Sequence, residues 1–185
     1  MKYIKLLILF FLLISYPNKL FGSESIVNQL KEGGKIVMIR HAYAPGNGDP
    51  KNFSIKDCLT QRNLNKRGIK QSKIIGSFFK LNKIPIDIIL SSEWCRCKDT
   101  AFYAFQSFKT KSFLNSFYDN RFRKDKDKQI AELKDYIKKW NGQKNLILIT
   151  HYVVVNELLD IGINSGEMII IDQKFNVIGK LENKL

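Results

Sequence analysis

The chain has 185 residues, with 31 Lys and Arg against 17 Asp and Glu, and a formal net charge of +14. A hydrophobic content of 44% with 26% charged residues is that of an ordinary globular domain and excludes a disordered or fibrous chain. The basic residues are spread along the chain and carry no nucleic-acid-binding motif, so no nucleic-acid partner is expected; the charge instead favours an anionic ligand or surface.

Residues 1–22 have the pattern of a secretory signal peptide. Lys2 and Lys5 precede an apolar run over residues 6–15, Pro17 breaks it, and Gly22 and Ser23 supply small residues at its end. A spanning helix needs about 20 apolar residues, so no stable membrane anchor is expected. The expected organisation is therefore a leader over 1–22 and one domain over 23–185, periplasmic or secreted. Losing Lys2, Lys5 and Lys19 with the leader leaves a charge of 14 − 3 = +11.

A short helix is expected over residues 25–31. Gly33, Gly34 and Lys35 then lead into Ile36-Val37-Met38-Ile39, an apolar run that meets Arg40 and His41. Such a run, bounded by turn residues, reads as a buried strand. The Arg-His pair cannot stay in it and should emerge at its carboxyl end, the edge where open α/β sheets bind ligands. The chain has one other histidine, His151, and it follows a near copy of this element, Asn145-Leu146-Ile147-Leu148-Ile149-Thr150. If the two strands are parallel, both imidazoles project from one edge.

Between them, residues 43–64 form a long loop containing Pro45, Gly46, Gly48 and Pro50; loops of this length in a compact domain are usually functional. Residues 65–80 read as a helix. Its face of Gly68, Ser72, Ile75, Gly76 and Phe79 is built partly of small residues and allows close packing on a sheet. Residues 84–90 form a further buried strand ending at Ser91 and Ser92, either of which can N-cap the next helix. That helix carries Cys97, Ala101, Ala104, Phe105 and Phe108 on one face and Arg96 in its first turn. Helix starts disfavour cations, so an arginine there points to an anion beside it.

Further along, residues 112–114 read as a short strand and 115–126 as a polar loop. Residues 127–140 form an amphipathic helix with Ile130, Leu133, Ile137 and Trp140 inward, stopped by Asn141-Gly142. A helix around 156–160 follows His151, and closing strands are expected at 168–171 and 175–178. Strands alternating with helices predict an α/β fold: a mainly parallel sheet with helices on both faces.

Arg40, His41, Arg96 and His151 thus fall at strand ends or at the helix start beyond one. In this order the chain resembles the histidine phosphatase superfamily, whose fold is phosphoglycerate-mutase-like. Arg40-His41 resembles the family's signature pair. Leu64-Asn65-Lys66-Arg67-Gly68 with Gln71 is similar to its leucine, glycine, glutamine helix start. Ser91-Ser92-Glu93-Trp94-Cys95-Arg96 with Thr100-Ala101 resembles its Ser-Arg-Thr-Ala segment, and Thr150-His151 its second histidine. The chain is similar to compact, secreted members in lacking a large cap insertion. It departs from the pattern at Ala42, where many members have glycine, and at Tyr152, where the acid-phosphatase branch has the aspartate of its His-Asp pair.

The resemblance implies a metal-independent phosphomonoesterase, and the residue types suit that chemistry. Phosphoryl transfer depends on positioning and on stabilising charge at the non-bridging oxygens. Arg40 and Arg96 supply planar donor forks for those oxygens. His41, if neutral, attacks phosphorus to form a phosphohistidine, His151 donates a hydrogen bond to a phosphoryl oxygen, and water completes hydrolysis. No cofactor is required, and two histidines without clustered carboxylates make a poor zinc site. The expected partner is a small phosphorylated substrate. The sequence does not identify the general acid; Asp119 and Glu93 are candidates by position alone, and Arg62 is either a substrate contact or a surface arginine. The resemblance also brings the loop of Cys58 near the segment of Cys95, consistent with a disulfide in an oxidising compartment, while Cys97 lies on an apolar face. A non-catalytic phospho-ligand binding domain with the same cationic pocket is the alternative, and a basic protein at an anionic surface a third reading. The oligomeric state is not set by the sequence.

Overall fold

The two apolar runs that end in histidines form neighbouring parallel strands. The computed structural model describes residues 19–182; of the expected leader, residues 1–18 lie outside them. Helix α1 (Lys19–Glu32) leads to strand β1 (Ile36–Arg40), then α2 (Lys66–Leu81), β2 (Ile86–Ser91), α3 (Cys95–Phe105) and β3 (Lys109–Thr110). Helix α4 (Lys126–Lys139), β4 (Asn145–Thr150), α5 (Tyr152–Leu159), β5 (Met168–Ile171) and β6 (Val177–Leu181) complete the chain. The sheet order is β3-β2-β4-β1-β5-β6. Strands β1 to β4 are mutually parallel where they pair, β5 is antiparallel to β1, and β6 is antiparallel to β5.

The sheet is covered on both faces, which is why its central strands read as unbroken apolar runs rather than alternating ones. Ile36, Met38, Leu146 and Leu148 point to one face and pack with Ile130, Leu133 and Ile137 of α4 and Val154 and Val155 of α5. Val37, Ile39, Ile147 and Ile149 point to the other and pack with Leu30 of α1, Ile75 and Phe79 of α2 and Ala101 of α3. The two glycines of α2 permit close approach, but to neighbours other than the sheet. A Cβ on Gly68 would collide with the carbonyl of Tyr43, and one on Gly76 with that of Ala104 on α3.

Several elements differ from their sequence expectation. Helix α1 begins at Lys19 rather than residue 25. Residues Ser112–Leu114 form a 3-10 turn, and the short strand lies just before it at Lys109–Thr110. Phe113 and Leu114 both pack into the same core cluster, and consecutive side chains on a strand cannot point the same way. The polar segment after it holds a second 3-10 turn, Asn120–Asp125. Helix α5 starts immediately after His151 instead of near residue 156. The last strand begins at Val177, because Phe175 takes φ +67° in a turn organised by the carboxylate of Asp172, which accepts from the backbone N–H of Lys174 and Asn176. Neither Ser91 nor Ser92 is the N-cap of α3: that position is Trp94, without a side-chain cap. The Ser92 hydroxyl accepts from Trp94 N–H one step earlier, and the Cys95 N–H is satisfied by Gln61 Oε1 from the long loop.

Candidate active site

Register fixes the site. Arg40 lies opposite Thr150 in the β1–β4 pair and Ser91 opposite Ile149 in the β2–β4 pair. The ladder continues one step beyond, with His41 N–H donating to Thr150 O at 2.9 Å and Ser92 N–H to Ile149 O at 2.9 Å. His41, His151 and Ser92 therefore leave the sheet together at its carboxyl edge, and α3 brings Arg96 to the same place. The loop over residues 43–64 folds across this edge. The resulting cavity of about 200 Å³ is lined by Arg40, His41, Asp49, Arg62, Arg96 and His151, with Trp94, Tyr118, Phe122 and Tyr152 among its walls. That volume admits a phosphoryl group.

Both imidazoles are buried and their ring centroids lie 5.5 Å apart, edge to face. His41 Nδ1 is 2.8 Å from the carbonyl of Ala42. A carbonyl only accepts, so Nδ1 carries the proton and Nε2 holds a free lone pair. Burial pushes the His41 pKa well below the usual imidazole value, and the Arg96 charge lowers it further. His151 is shifted the same way, by burial first and then by Arg96 and His41. Both rings are neutral at pH 7. Ala42 fits the position where glycine is common: it is buried, its N–H donates to Thr100 Oγ1, and it needs no positive φ.

Three guanidiniums surround the histidines. Arg40 donates from Nη1 to Ile163 O at 2.9 Å, while its Nε is buried without a partner, and its guanidinium lies 5.7 Å from the ring centroid of Tyr152. Tyr152, at the departure from the His-Asp pattern, is thus a wall beside Arg40. Arg62, whose role the sequence left open, lines the cavity; it is held by Gly48 O at 2.8 Å and Ala44 O at 2.5 Å. Arg96 is the most buried, and the anion its position called for is in part internal. Its Nη1 donates to Asp49 Oδ1 at 2.8 Å, the two side chains being 4% and 11% exposed.

Asp49 was not found from the sequence. Its carboxylate also accepts from Trp94 Nε1 at 3.0 Å and from Arg62 N–H at 3.1 Å. Burial works against ionisation, but the Arg96 charge and these hydrogen bonds outweigh it and hold the pKa below the usual carboxylate value. The one available signal was an acid in the Gly48-Asp49-Pro50 turn of a loop that lies over three cations.

The two acid candidates fall in different places. Asp119 is at the cavity rim, where both carboxylate oxygens accept from Arg121, and these bonds hold its pKa below the usual value. Glu93 is not among the cavity-lining residues; its Oε2 accepts from Asn115 Nδ2 at 2.6 Å. Cys58 and Cys95 form a disulfide, which ties the long loop to the residue beside Arg96. Cys97 is free and buried, and burial pushes its thiol up to about 12, so it is not a nucleophile. Among the described residues no cluster of His, Cys, Asp and Glu is arranged to hold a metal ion.

No protein-family model and no curated protein matches the sequence. Solved structures do. The protein histidine phosphatase SixA in complex with tungstate superposes with a TM-score of 0.55 at 16% identity, over 77% of this chain and 92% of that one. A candidate phosphohistidine phosphatase SixA from Agrobacterium tumefaciens gives 0.55 at 17%, over 80% and 98%. A candidate α-ribazole-5′-phosphate phosphatase from Escherichia coli gives 0.60 at 15%, over 76% and 92%. This is the histidine phosphatase fold. At such identities the likeness is one of architecture, and it covers almost the whole length of each compact relative. Within that fold, the carboxyl edge of β1, β2 and β4 is where this chain gathers Arg40, His41, Arg96 and His151.

Proposed function

We propose that the protein is a metal-independent phosphatase that works through a phosphohistidine on His41. The observation that carries this reading is the lone pair of a buried, neutral His41 at a cavity walled by Arg40, Arg62, Arg96 and His151. A phosphoryl dianion is matched to such a site, and its non-bridging oxygens meet planar donors that need no reorganisation. His41 Nε2 attacks phosphorus, the P–O or P–N bond to the leaving group breaks, and water later cleaves the P–N bond to His41.

The leaving group has little help. Both carboxylates of the cavity, Asp49 and Asp119, are held by arginines and ionised at neutral pH. Substrates with weakly basic leaving groups are therefore favoured: phosphoramidates such as phosphohistidine, acyl phosphates and aryl phosphates. One of the similar structures is described as a protein histidine phosphatase and another as a candidate phosphohistidine phosphatase, which agrees with this class. The same lack of a proton donor favours the second reading, a domain that binds phosphorylated ligands without turning them over. Export to an oxidising compartment is supported by the Cys58–Cys95 disulfide. Among the described residues no helix is long and apolar enough to cross a membrane.

The test is turnover of an aryl phosphate in the presence of a chelator, with covalent labelling by a radioactive phosphoryl donor. His41→Ala is expected to abolish both, and the parent label to be acid-labile and alkali-stable, as a phosphoramidate is. His151→Ala and Arg96→Ala should lower the rate by about two to four orders of magnitude, the scale for losing a transition-state donor. Near-parental activity in His41→Ala would remove this mechanism; tight phosphate binding without turnover in the parent would establish the binding domain.

A further inference from the structure

Behind His151 runs a chain of hydrogen bonds that the reaction as proposed does not use. Ser92 Oγ lies 2.9 Å from His151 Nε2 and 3.0 Å from Asn115 Oδ1. Asn115 Oδ1 also accepts from the Glu93 N–H at 2.9 Å, and Asn115 Nδ2 donates to Glu93 Oε2 at 2.6 Å. Ser92 is fully buried, and His151 and Asn115 nearly so.

Each proton in this chain has one allowed place. A backbone N–H only donates, so the Glu93 amide fixes which end of the Asn115 side chain is oxygen. The Ser92 hydroxyl must then give its single proton to that oxygen. Towards His151 it can only accept, so His151 Nε2 carries a hydrogen. The other side of the ring agrees: Arg96 Nη2, a donor only, lies 3.5 Å from His151 Nδ1. Cys97 agrees as well, its thiol donating to Thr150 O at 3.6 Å while its sulfur, 3.5 Å from His151 Nε2, is left to accept. His151 therefore presents an unprotonated Nδ1 towards Arg96. A lone pair cannot donate to a phosphoryl oxygen. For His151 to act as the donor that the phosphatase reading requires, Nδ1 must first gain a proton.

We infer that the Ser92–Asn115–Glu93 chain is a positioning relay that lets His151 take up a proton from solvent at Nδ1 when a phosphoryl dianion enters, with the Glu93 carboxylate as the remote counter-charge. The inference rests on the phosphatase reading of the cavity. On binding, the dianion reaches Arg96 and the region beside Nδ1, and the imidazolium that forms keeps its Nε2–H on Ser92. The dipoles of Ser92 and Asn115 are aligned head to tail from that N–H to the carboxylate, so the positive charge is met without moving a heavy atom. The groups that oppose the charge are Arg96 from α3, Arg62 from the long loop, and Arg40 and His41 from the end of β1. Asp49, bound to Arg96, is the one cavity-floor carboxylate on the favourable side. With three guanidiniums against it, the uptake needs both the incoming dianion and Glu93. Ser92, Asn115 and Glu93 are not among the residues that line the cavity.

The chain's two histidines make a direct measurement possible. In protein with 15N-labelled histidine, the imidazole nitrogens of His151 are assigned by their loss in His151→Gln. They are then followed between pH 6.5 and 8.5, with and without saturating tungstate, a tetrahedral dianion throughout that range. The parent should show Nε2–H, Nδ1-unprotonated His151 when free and a doubly protonated ring when bound, while His41 keeps its Nδ1–H form. Glu93→Gln preserves an acceptor for Asn115 but removes the charge; tungstate should still bind, and the midpoint of His151 protonation in the complex should fall by about one pH unit. Glu93→Asp, which restores the charge, should recover most of that shift. Ser92→Ala should leave the free ring without its fixed tautomer, giving exchange between Nδ1–H and Nε2–H forms. A bound His151 that stays neutral, or a midpoint unmoved by Glu93→Gln, overturns the relay while tungstate binding keeps the phosphatase reading intact. Absence of tungstate binding at the His41 signals overturns both.

Discussion

Asp49 and Arg96 are a buried pair whose members depend on each other. A guanidinium 4% exposed, with a carboxylate on one side and a neutral imidazole on the other, has exchanged water for a small set of fixed partners. Removing one member of such a pair leaves an uncompensated charge and costs about 3 kcal/mol or more. Asp49→Asn keeps an acceptor for Trp94 or Arg62 but loses the charge. For a domain of this size it should lower the melting temperature by roughly 6–12 °C, at about 2–4 °C per kcal/mol; calorimetry at pH 7 measures it. A change under about 2 °C would mean that Arg96 does not depend on Asp49. The same pair shows which parts of the site were legible in the sequence. Arg40, His41 and His151 stand at the ends of apolar runs, and a strand's polarity says where its end must go. Asp49, Asn115 and Trp94 sit on segments whose course depends on what they fold against, so nothing local announces them. Arg62 was visible as a residue but not as a contact, because its place comes from Gly48 O and Ala44 O of its own loop.

At the scale of elements, the α2–α3 contact is set by backbone approach at Gly76. A methyl group there would meet the Ala104 carbonyl, part of a helix that also carries Arg96 and cannot shift freely. Gly76→Ala gains about 1 kcal/mol in helix propensity and loses about 1–3 kcal/mol, or more, to overpacking. The expected net is a destabilisation of up to roughly 2 kcal/mol by urea unfolding. Gly162→Ala is the control: nothing lies within 4 Å of its Cβ position, and the substitution should fall within about 0.5 kcal/mol of the parent. Equal effects at both positions would remove close packing as the reason for Gly76. The spacing of small residues in α2 was readable as a demand for proximity, but not the partner, since periodicity reports a face and not what covers it. Helix α5 is the opposite case. Tyr152-Val153-Val154-Val155 has the composition of a strand, and only the burial of Val154 and Val155 against the sheet makes it helical. The polarity of β1 and β4 survived such local ambiguity because continuous burial on two faces leaves few other arrangements.

For the whole molecule, the two neutral histidines set how stability depends on pH. Each has a folded pKa well below its unfolded value of about 6.5. Between those values the unfolded chain binds protons that the folded chain refuses. Their contribution is therefore complete above about pH 6.5 and is lost as pH falls below it. Each histidine contributes a slope that approaches about 1.4 kcal/mol per pH unit as the unfolded ring becomes fully protonated, so the pair should lose about 2 kcal/mol between pH 6.5 and 5.5 and near the full slope of about two protons below that. Asp49 acts later, because a depressed carboxylate pKa costs stability only as pH falls below about 3.9. Urea unfolding at half-unit steps from pH 7.5 to 5 should show a plateau followed by a slope corresponding to nearly two protons. His41→Gln and His151→Gln should each remove about one proton from that slope. A flat profile from pH 7 to 5.5 would mean that the folded chain accommodates both charges, and His41 would then lack the free lone pair on which phosphoryl transfer depends. Saturating tungstate supplies the complementary case. If the complex holds His151 charged, the bound protein no longer refuses that proton, and the slope below pH 6.5 should fall to that of His41 alone.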